Sequence, residues 1–134
     1  MNEVPSPREV PKSKLAKFIA GFGFAFSGLW YAFRTQINMR VHLGLALLAL
    51  LLGILLHIST FEFALVFVAI AGVMMAEMFN TVIELCVDLA SPEYHPLAKI
   101  AKDVAAGAVL LSAFLAIIIA LFVYVPHLWA LLHL

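Results

Sequence analysis

Charged residues are scarce in this chain. They make up 12% of its 134 residues, eight basic and eight acidic, while 65% are hydrophobic. Soluble domains average about 25% charged and about 45–50% apolar residues, so the composition excludes an ordinary soluble protein. The formal net charge of zero argues against a nucleic-acid partner, because proteins that bind nucleic acids present a basic surface. We therefore interpret the chain as a membrane protein.

Cysteine and the common nucleotide-binding motifs are also lacking. Cys86 is the single cysteine, which excludes an intrachain disulfide and a CxxC metal or redox site. The phosphate-binding pattern GxxxxGK[ST] is absent, so any nucleotide site must be unconventional. Residues 1–12 carry three prolines and several charges, and we expect a disordered cytosolic arm there rather than a secretory signal peptide.

Apolar runs predict an all-α membrane protein with a single membrane-embedded domain over residues 13–134. About 20 apolar residues are needed to cross the hydrocarbon core. Residues 13–36 are interrupted by glycines and have basic ends, which favours an amphipathic helix at the membrane interface. Pro126 is expected to end the last apolar run. The sequence predicts three membrane-spanning helices, at about 41–57, 61–89 and 104–125.

Basic residues predict the orientation of these spans. Cytosolic connections are enriched in lysine and arginine. The connection 58–60 has none, whereas basic residues precede the first span and lie between the second and third. The N-terminus and the connection 89–103 are therefore expected in the cytosol. The residues that carry this prediction are Lys12, Lys14, Lys17, Arg34, Arg40, Lys99 and Lys102.

The second span contains a row of polar residues, Glu77, Asn80, Glu84 and Asp88. At about 100° per residue they fall within an arc of about 80° on one helix face. A carboxylate at membrane depth costs several kcal/mol unless it is paired, hydrated or coordinated, so three on one face indicate a functional site. Counted from Phe61, Glu77 lies after about 24 Å of helix, near the cytosolic end of the span.

Polar residues of the other segments are expected at the same level. Such a site can receive a water-soluble substrate from the cytosol and a lipid headgroup from the bilayer. Carboxylate and amide oxygens can hold Mg²⁺ together with substrate phosphates, which suggests phosphoryl transfer. The residues concerned are Gln36, Asn38, Arg40 and His42 before the first span, and Lys102 and Asp103 at the start of the third.

Two other interpretations of the polar row remain open. The charges could be paired inside a helix bundle without chemistry, for example Glu84 with Lys102. They could also belong to a proton or ion pathway. A pathway is disfavoured because the outer halves of the spans contain no ionisable groups apart from His57 and Glu62.

The polar row and a second segment carry a resemblance to a known family. Residues 77–88, Glu-Met-Phe-Asn-Thr-Val-Ile-Glu-Leu-Cys-Val-Asp, resemble the signature of the small bacterial diacylglycerol kinases, and residues 101–109, Ala-Lys-Asp-Val-Ala-Ala-Gly-Ala-Val, resemble their second motif. The resemblance covers roughly residues 13–125. Asn80-Thr81, Asp88-Leu89 and residues 95–99 are more similar to the undecaprenol kinase branch than to the diacylglycerol kinase branch.

The resemblance implies an ATP-dependent lipid kinase of the bacterial cell membrane, with Mg²⁺ as cofactor and undecaprenol as the favoured acceptor. Diacylglycerol is the alternative acceptor. It also implies a homotrimer with active sites shared between subunits and facing the cytosol. Glu77 would be the general base, Glu84 would bind Mg²⁺, and Asn80 would line the site. The implied ATP-binding residues are Lys17, Glu84, Asp88, Glu93, Tyr94, His95, Lys102 and Asp103.

Gln36 departs from the family pattern, which usually has a glutamate at this position as a second metal ligand. An amide oxygen can still bind Mg²⁺, but the loss of one negative charge is expected to weaken the metal site. A further alternative is therefore an inactive relative that binds lipid or nucleotide as a membrane subunit.

Overall fold

The computed structural model describes residues 13–133, which form four helices and no strand. The all-helical class is confirmed, and each helix is long and apolar enough to cross a membrane. The predicted arm of residues 1–12 lies outside the described residues. In chain order the helices are α1 (Lys14–Thr35), α2 (Ile37–Leu55), α3 (Thr60–Ala90) and α4 (Pro96–Leu132).

Helix α1 is the least packed of the four. It begins after Ser13, whose hydroxyl accepts a hydrogen bond from the Ala16 backbone N–H, and only Ala32 is buried along it. The extended backbone of Gln36 alone separates it from α2. Helix α1 therefore presents most of its aromatic side chains to the surroundings.

A tight turn joins α2 to α3. His57 adopts a left-handed conformation with φ 54°, the Ile58 N–H donates to the Gly53 carbonyl, and the His57 N–H donates to the Ile54 carbonyl. This is a Schellman motif, in which both bonds satisfy carbonyls at the end of a helix. A Cβ on Gly53 would lie 2.8 Å from the Ile58 Cδ1, so glycine permits this close approach.

The first turn of α3 is fixed by a capping box. The Ser59 hydroxyl accepts from the Glu62 N–H, and the Glu62 carboxylate accepts from the Ser59 N–H at 2.7 Å. The chain therefore reverses direction within residues 56–59. We call this end of the bundle the turn end, and the opposite end, which carries Gln36 and residues 91–95, the polar end.

Helix α3 packs chiefly against α4 and secondarily against α2. Near the turn end, Ile58, Val66, Val123 and Tyr124 form a buried apolar cluster. The Tyr124 hydroxyl donates to the Ala49 carbonyl at 2.7 Å and so links α4 to α2. Most other large apolar side chains are exposed, which suits a surface that faces lipid.

Helix α4 extends beyond the predicted third span at both ends. The prediction that Pro126 ends the helix is wrong, because α4 continues through it to Leu132. Proline removes one N–H from the helical ladder. The bond lost is the one to the Phe122 carbonyl, four residues earlier, and the rest of the helical ladder continues on both sides of Pro126.

Helix α4 also begins earlier than predicted. Residues 96–103 had been assigned to a polar connection, but Pro96 occupies the first turn of the helix, where its fixed φ is favourable. The His95 Nδ1 accepts from the Leu97 N–H at 3.2 Å and caps the helix. The connection is thereby reduced to residues 91–95.

Candidate active site

Glu77 is the most deeply buried charged side chain of the described residues. It is 1% exposed, and neither of its carboxylate oxygens has a hydrogen-bond partner among residues 13–133. Asn80, one turn further along α3, is 5% exposed, and its Oδ1 also lacks a partner. Buried polar atoms without partners are rare because each costs about 1–3 kcal/mol, more when charged. These atoms are therefore available to a bound group.

A cavity of about 270 Å³ adjoins these two side chains. Helix α2 contributes Asn38 and His42, and α4 contributes small and aliphatic residues that include Ala106. The volume lies near the lower limit of the range typical of ligand pockets, which is about 300–1,000 Å³. Three helices thus border a half-open space that combines polar and apolar side chains. We call it the head cavity.

Exposure increases along the polar row of α3. Glu77 and Asn80 are buried, Glu84 is half-buried, and the Asp88 side chain is 64% exposed. The Asn80 Nδ2 donates to the Glu84 Oε1 at 3.2 Å, which orients the amide so that its Oδ1 points away from Glu84. One helix face therefore leads from a buried carboxylate to an exposed one.

Ion pairs connect the exposed part of this row to the start of α4. The Lys102 Nζ lies 2.5 Å from the Asp88 Oδ1, and the Lys99 Nζ lies 2.6 Å from the Asp103 Oδ2. Lys102 thus contacts Asp88 rather than Glu84, the pairing suggested by the sequence. Exposed ion pairs contribute only about 0–1 kcal/mol, so a phosphate group can replace the aspartates as partner of these lysines.

The predicted nucleotide-binding residues of the connection lie between these charged groups along the chain. Glu93, Tyr94 and His95 are all exposed. The Ser91 hydroxyl donates to the Glu93 carbonyl at 3.0 Å, and the His95 ring caps α4. Their backbone is therefore held in place, while the Tyr94 ring is 81% exposed.

Two predicted residues are not brought into contact with the others. Lys17 is exposed in the first turn of α1, and Gln36 is half-buried at the junction of α1 and α2, where its side chain makes no capping bond. Neither side chain forms a hydrogen bond or an ion pair with another predicted site residue in the described part of the chain.

The donor set suits a magnesium ion that arrives with a nucleotide. No three His, Cys, Asp or Glu side chains within residues 13–133 converge in a metal-binding group. Mg²⁺, however, is commonly held by one or two carboxylates together with substrate phosphates and water. The Glu84 carboxylate and the unpartnered Asn80 Oδ1 offer oxygens of this kind.

His42 and Asn38 line the head cavity, as their predicted level beside the polar row allows, although the sequence assigns neither a specific role. Their spacing of four residues places both on one face of α2, which is the signal that could have identified them.

Comparisons with known proteins match this chain to a family of prokaryotic kinases. A family model described as prokaryotic diacylglycerol kinase matches residues 23–124. An undecaprenol kinase of Bacillus subtilis (strain 168) is 39% identical over 117 residues, which are 87% of this chain and 95% of the relative. A diacylglycerol kinase of Synechocystis sp. is 37% identical, with 96% of this chain and 79% of the relative covered. A diacylglycerol kinase of Escherichia coli (strain K12) is 31% identical, with 76% and 84% covered.

Proposed function

The chain belongs to the prokaryotic diacylglycerol kinase family and is a lipid kinase, and we propose that it transfers the terminal phosphate of ATP to undecaprenol. The observation that carries the proposal is the buried, unpartnered Glu77 at the head cavity. The same helix face ends in the exposed Asp88, which pairs with Lys102 of α4, and the Lys102 ammonium group suits a nucleotide phosphate. The site thus has an apolar side, which can receive a lipid, and a water-accessible side, which can receive a nucleotide.

The choice of undecaprenol rests on the relative from Bacillus subtilis, of which this chain covers 95%. Diacylglycerol is the second candidate, and the relative from Synechocystis supports it. Gln36 supports the further alternative, an inactive relative that binds lipid or nucleotide.

We further propose that α2, α3 and α4 span the bilayer while α1 lies at its cytosolic interface. Helix α3 has 31 residues and is about 46 Å long, so it exceeds the hydrocarbon core of about 30 Å. The excess at the polar end would carry Glu84 and Asp88 into the headgroup region. Basic residues at this end support its cytosolic orientation.

A homotrimer with shared sites is part of the proposal. Lys17 and Gln36 support it, because within residues 13–133 neither side chain forms a hydrogen bond or ion pair with the other predicted site residues. These two residues could then complete the site of a neighbouring subunit. Native mass spectrometry of the detergent-solubilised protein should give the mass of three chains, and a monomer would exclude the sharing.

In the proposed reaction the acceptor hydroxyl oxygen attacks the terminal phosphorus of ATP. The bond between that phosphorus and the bridging oxygen breaks, ADP leaves, and the hydroxyl proton passes to the Glu77 carboxylate. An alcohol is a much weaker acid than a carboxylic acid, so the proton moves late, as the new bond forms. Glu77 has no competing hydrogen bond in the described chain, which leaves its oxygens free to accept.

The remaining residues align the phosphates and balance their charge, which is the main requirement of phosphoryl transfer. Lys102 would exchange Asp88 for a phosphate oxygen, and Glu93, Tyr94 and His95 would contact the nucleotide from the connection. Mg²⁺ would neutralise phosphate charge when it is bound by Glu84, with Gln36 as a further oxygen donor, and Asn80 would line the site.

An acceptor assay tests the proposal. Purified protein in nanodiscs receives radiolabelled ATP and Mg²⁺ with either undecaprenol or dioleoylglycerol, and the labelled lipid is separated and counted. We expect undecaprenyl phosphate to form faster. Faster formation of phosphatidic acid would support the second candidate, and ATP binding without either product would support the inactive relative.

A further inference from the structure

A second cavity adjoins the head cavity inside the bundle. Its volume is about 290 Å³, and its lining is almost entirely apolar. It runs between α2, α3 and α4 from His42 and Ala113 toward Val66 and Tyr124. His42 and Ala113 line both cavities, so the two meet at these residues. We call the second one the tail cavity.

The tail cavity lies along the membrane-spanning part of the helices. From Ala113 to Tyr124, α4 advances eleven residues, or about 16 Å. This length is about half of a hydrocarbon core of about 30 Å. A hydrophobic chain that enters beside His42 could therefore extend toward the turn end along this half-open groove between α2 and α4.

Alanines create this space. Three helices turn small side chains toward it at positions Ala46, Ala49, Ala69, Ala113, Ala116 and Ala120. Small residues alone would equally suit close packing against a helix of a second subunit. An independent observation favours a lipid alcohol instead: the buried carboxylate of Glu77 lines the adjoining head cavity and lacks a donor. A hydroxyl group would supply that donor, while its apolar chain would fill the tail cavity.

We propose that the tail cavity binds one hydrocarbon chain of the lipid acceptor, with the acceptor hydroxyl at Glu77 in the head cavity. This inference rests on the proposed lipid kinase function and adds the route of the chain. A volume of about 290 Å³ over this length suits the first part of one hydrocarbon chain.

The substitution Ala69→Leu tests the route, because Ala69 lines the tail cavity eight residues, or about 12 Å, along α3 from Glu77. Ala71→Leu is the matched control, since Ala71 is exposed on the same helix and lines neither cavity. The acceptors are undecaprenol and geraniol, a short alcohol of two isoprene units that ends before Ala69.

We expect Ala69→Leu to lower kcat/KM for undecaprenol about tenfold and to leave geraniol unaffected, because overpacking excludes only the longer chain. Ala71→Leu should leave both values unchanged. An equal loss of kcat/KM with both acceptors, together with an altered oligomeric mass, would mean that a helix of a second copy of the chain occupies the tail cavity. No loss with either acceptor would place the chain elsewhere, and both outcomes overturn the proposal.

A binding measurement separates this inference from the proposed function and serves if Ala69→Leu fails to fold. A photoreactive polyprenol analogue is irradiated with the wild-type protein, and the labelled peptides are identified by mass spectrometry. Labels on residues 66–74 and 113–124, reduced by Ala116→Leu, support the tail cavity even if no lipid is phosphorylated. Labels confined to other segments overturn it even if the kinase activity is confirmed.

Discussion

Replacing Glu77 with glutamine separates its proposed chemical role from its structural one. Glu77→Gln keeps the size and shape of the side chain and removes only the ability to accept the hydroxyl proton. General-base catalysis contributes about 10²–10⁴-fold to a rate, or about 2.7–5.5 kcal/mol of transition-state stabilisation. We expect kcat to fall by at least about a hundredfold.

The structure also predicts what this substitution leaves unchanged. The Glu77 carboxylate has no hydrogen bond to lose in the described chain, and burying an unpaired charge costs several kcal/mol. The variant should therefore be at least as stable as the wild type. ATP affinity should also persist, since Glu77 lies eleven residues, about 16 Å along α3, from Asp88 at the exposed end.

Three measurements on the purified variant check these expectations: kcat with undecaprenol, ATP affinity by calorimetry, and the thermal midpoint by tryptophan fluorescence. Glu62→Gln is the control, because this substitution removes an equal charge at the turn end of the same helix. It keeps an oxygen acceptor for the capping box, so it should lower stability only by about 0.3–1 kcal/mol, the contribution of a negative charge at a helix N-terminus, and leave kcat unchanged. A kcat within tenfold of the wild type for a folded Glu77→Gln protein would refute the base role, and a parallel loss of ATP affinity would reassign Glu77 to the nucleotide.

Three further substitutions probe the metal site and the turn. Glu84→Ala should raise the Mg²⁺ concentration for half-maximal activity at least about tenfold, the loss found even for groups that only support a ligand; an unchanged Mg²⁺ titration would remove Glu84 from the metal. Gln36→Glu should lower that concentration by restoring a negative ligand, and an identical titration curve would mean that position 36 does not contact the ion. His57→Gly should raise the free energy of unfolding by about 1 kcal/mol, because His57 has φ 54° in a region that favours glycine. A lower thermal midpoint would contradict this reasoning, and kcat should not change, since the turn end is remote from Glu77.

The sequence predicted the presence of the helices better than the residues at which they begin and end. Apolar runs locate the part of a helix that lies in hydrocarbon, but a helix continues into polar sequence as long as its backbone bonds are satisfied. Helix α2 therefore starts at Ile37, before the polar Asn38 and Arg40, and α4 continues through Pro126, which removes only the bond to the Phe122 carbonyl. Local caps decide such limits, and they depend on contacts that hydropathy does not report.

The polar row was accessible to sequence reasoning because helical periodicity fixes which residues of α3 share a face. Contacts between helices were not accessible in the same way. The pairing of Lys102 with Asp88 rather than Glu84 depends on the register of α4 against α3. The place of His42 at the junction of two cavities depends on the small α4 residues opposite it, chiefly Ala113. Both are products of packing, which one helix alone does not determine.

Helix α3 is unbroken from Thr60 to Ala90. Its constant turn of about 100° per residue therefore fixes the angle between Glu77 on the buried side and Glu84 and Asp88 toward the exposed end. Inserting one residue after Asn80 would turn Glu84 and Asp88 by about 100° away from Glu77. Inserting seven would restore the angle to within about 20° but would move those groups about 10.5 Å further out. The number of residues between Glu77 and Asp88 is thus as constrained as the identity of the polar residues themselves.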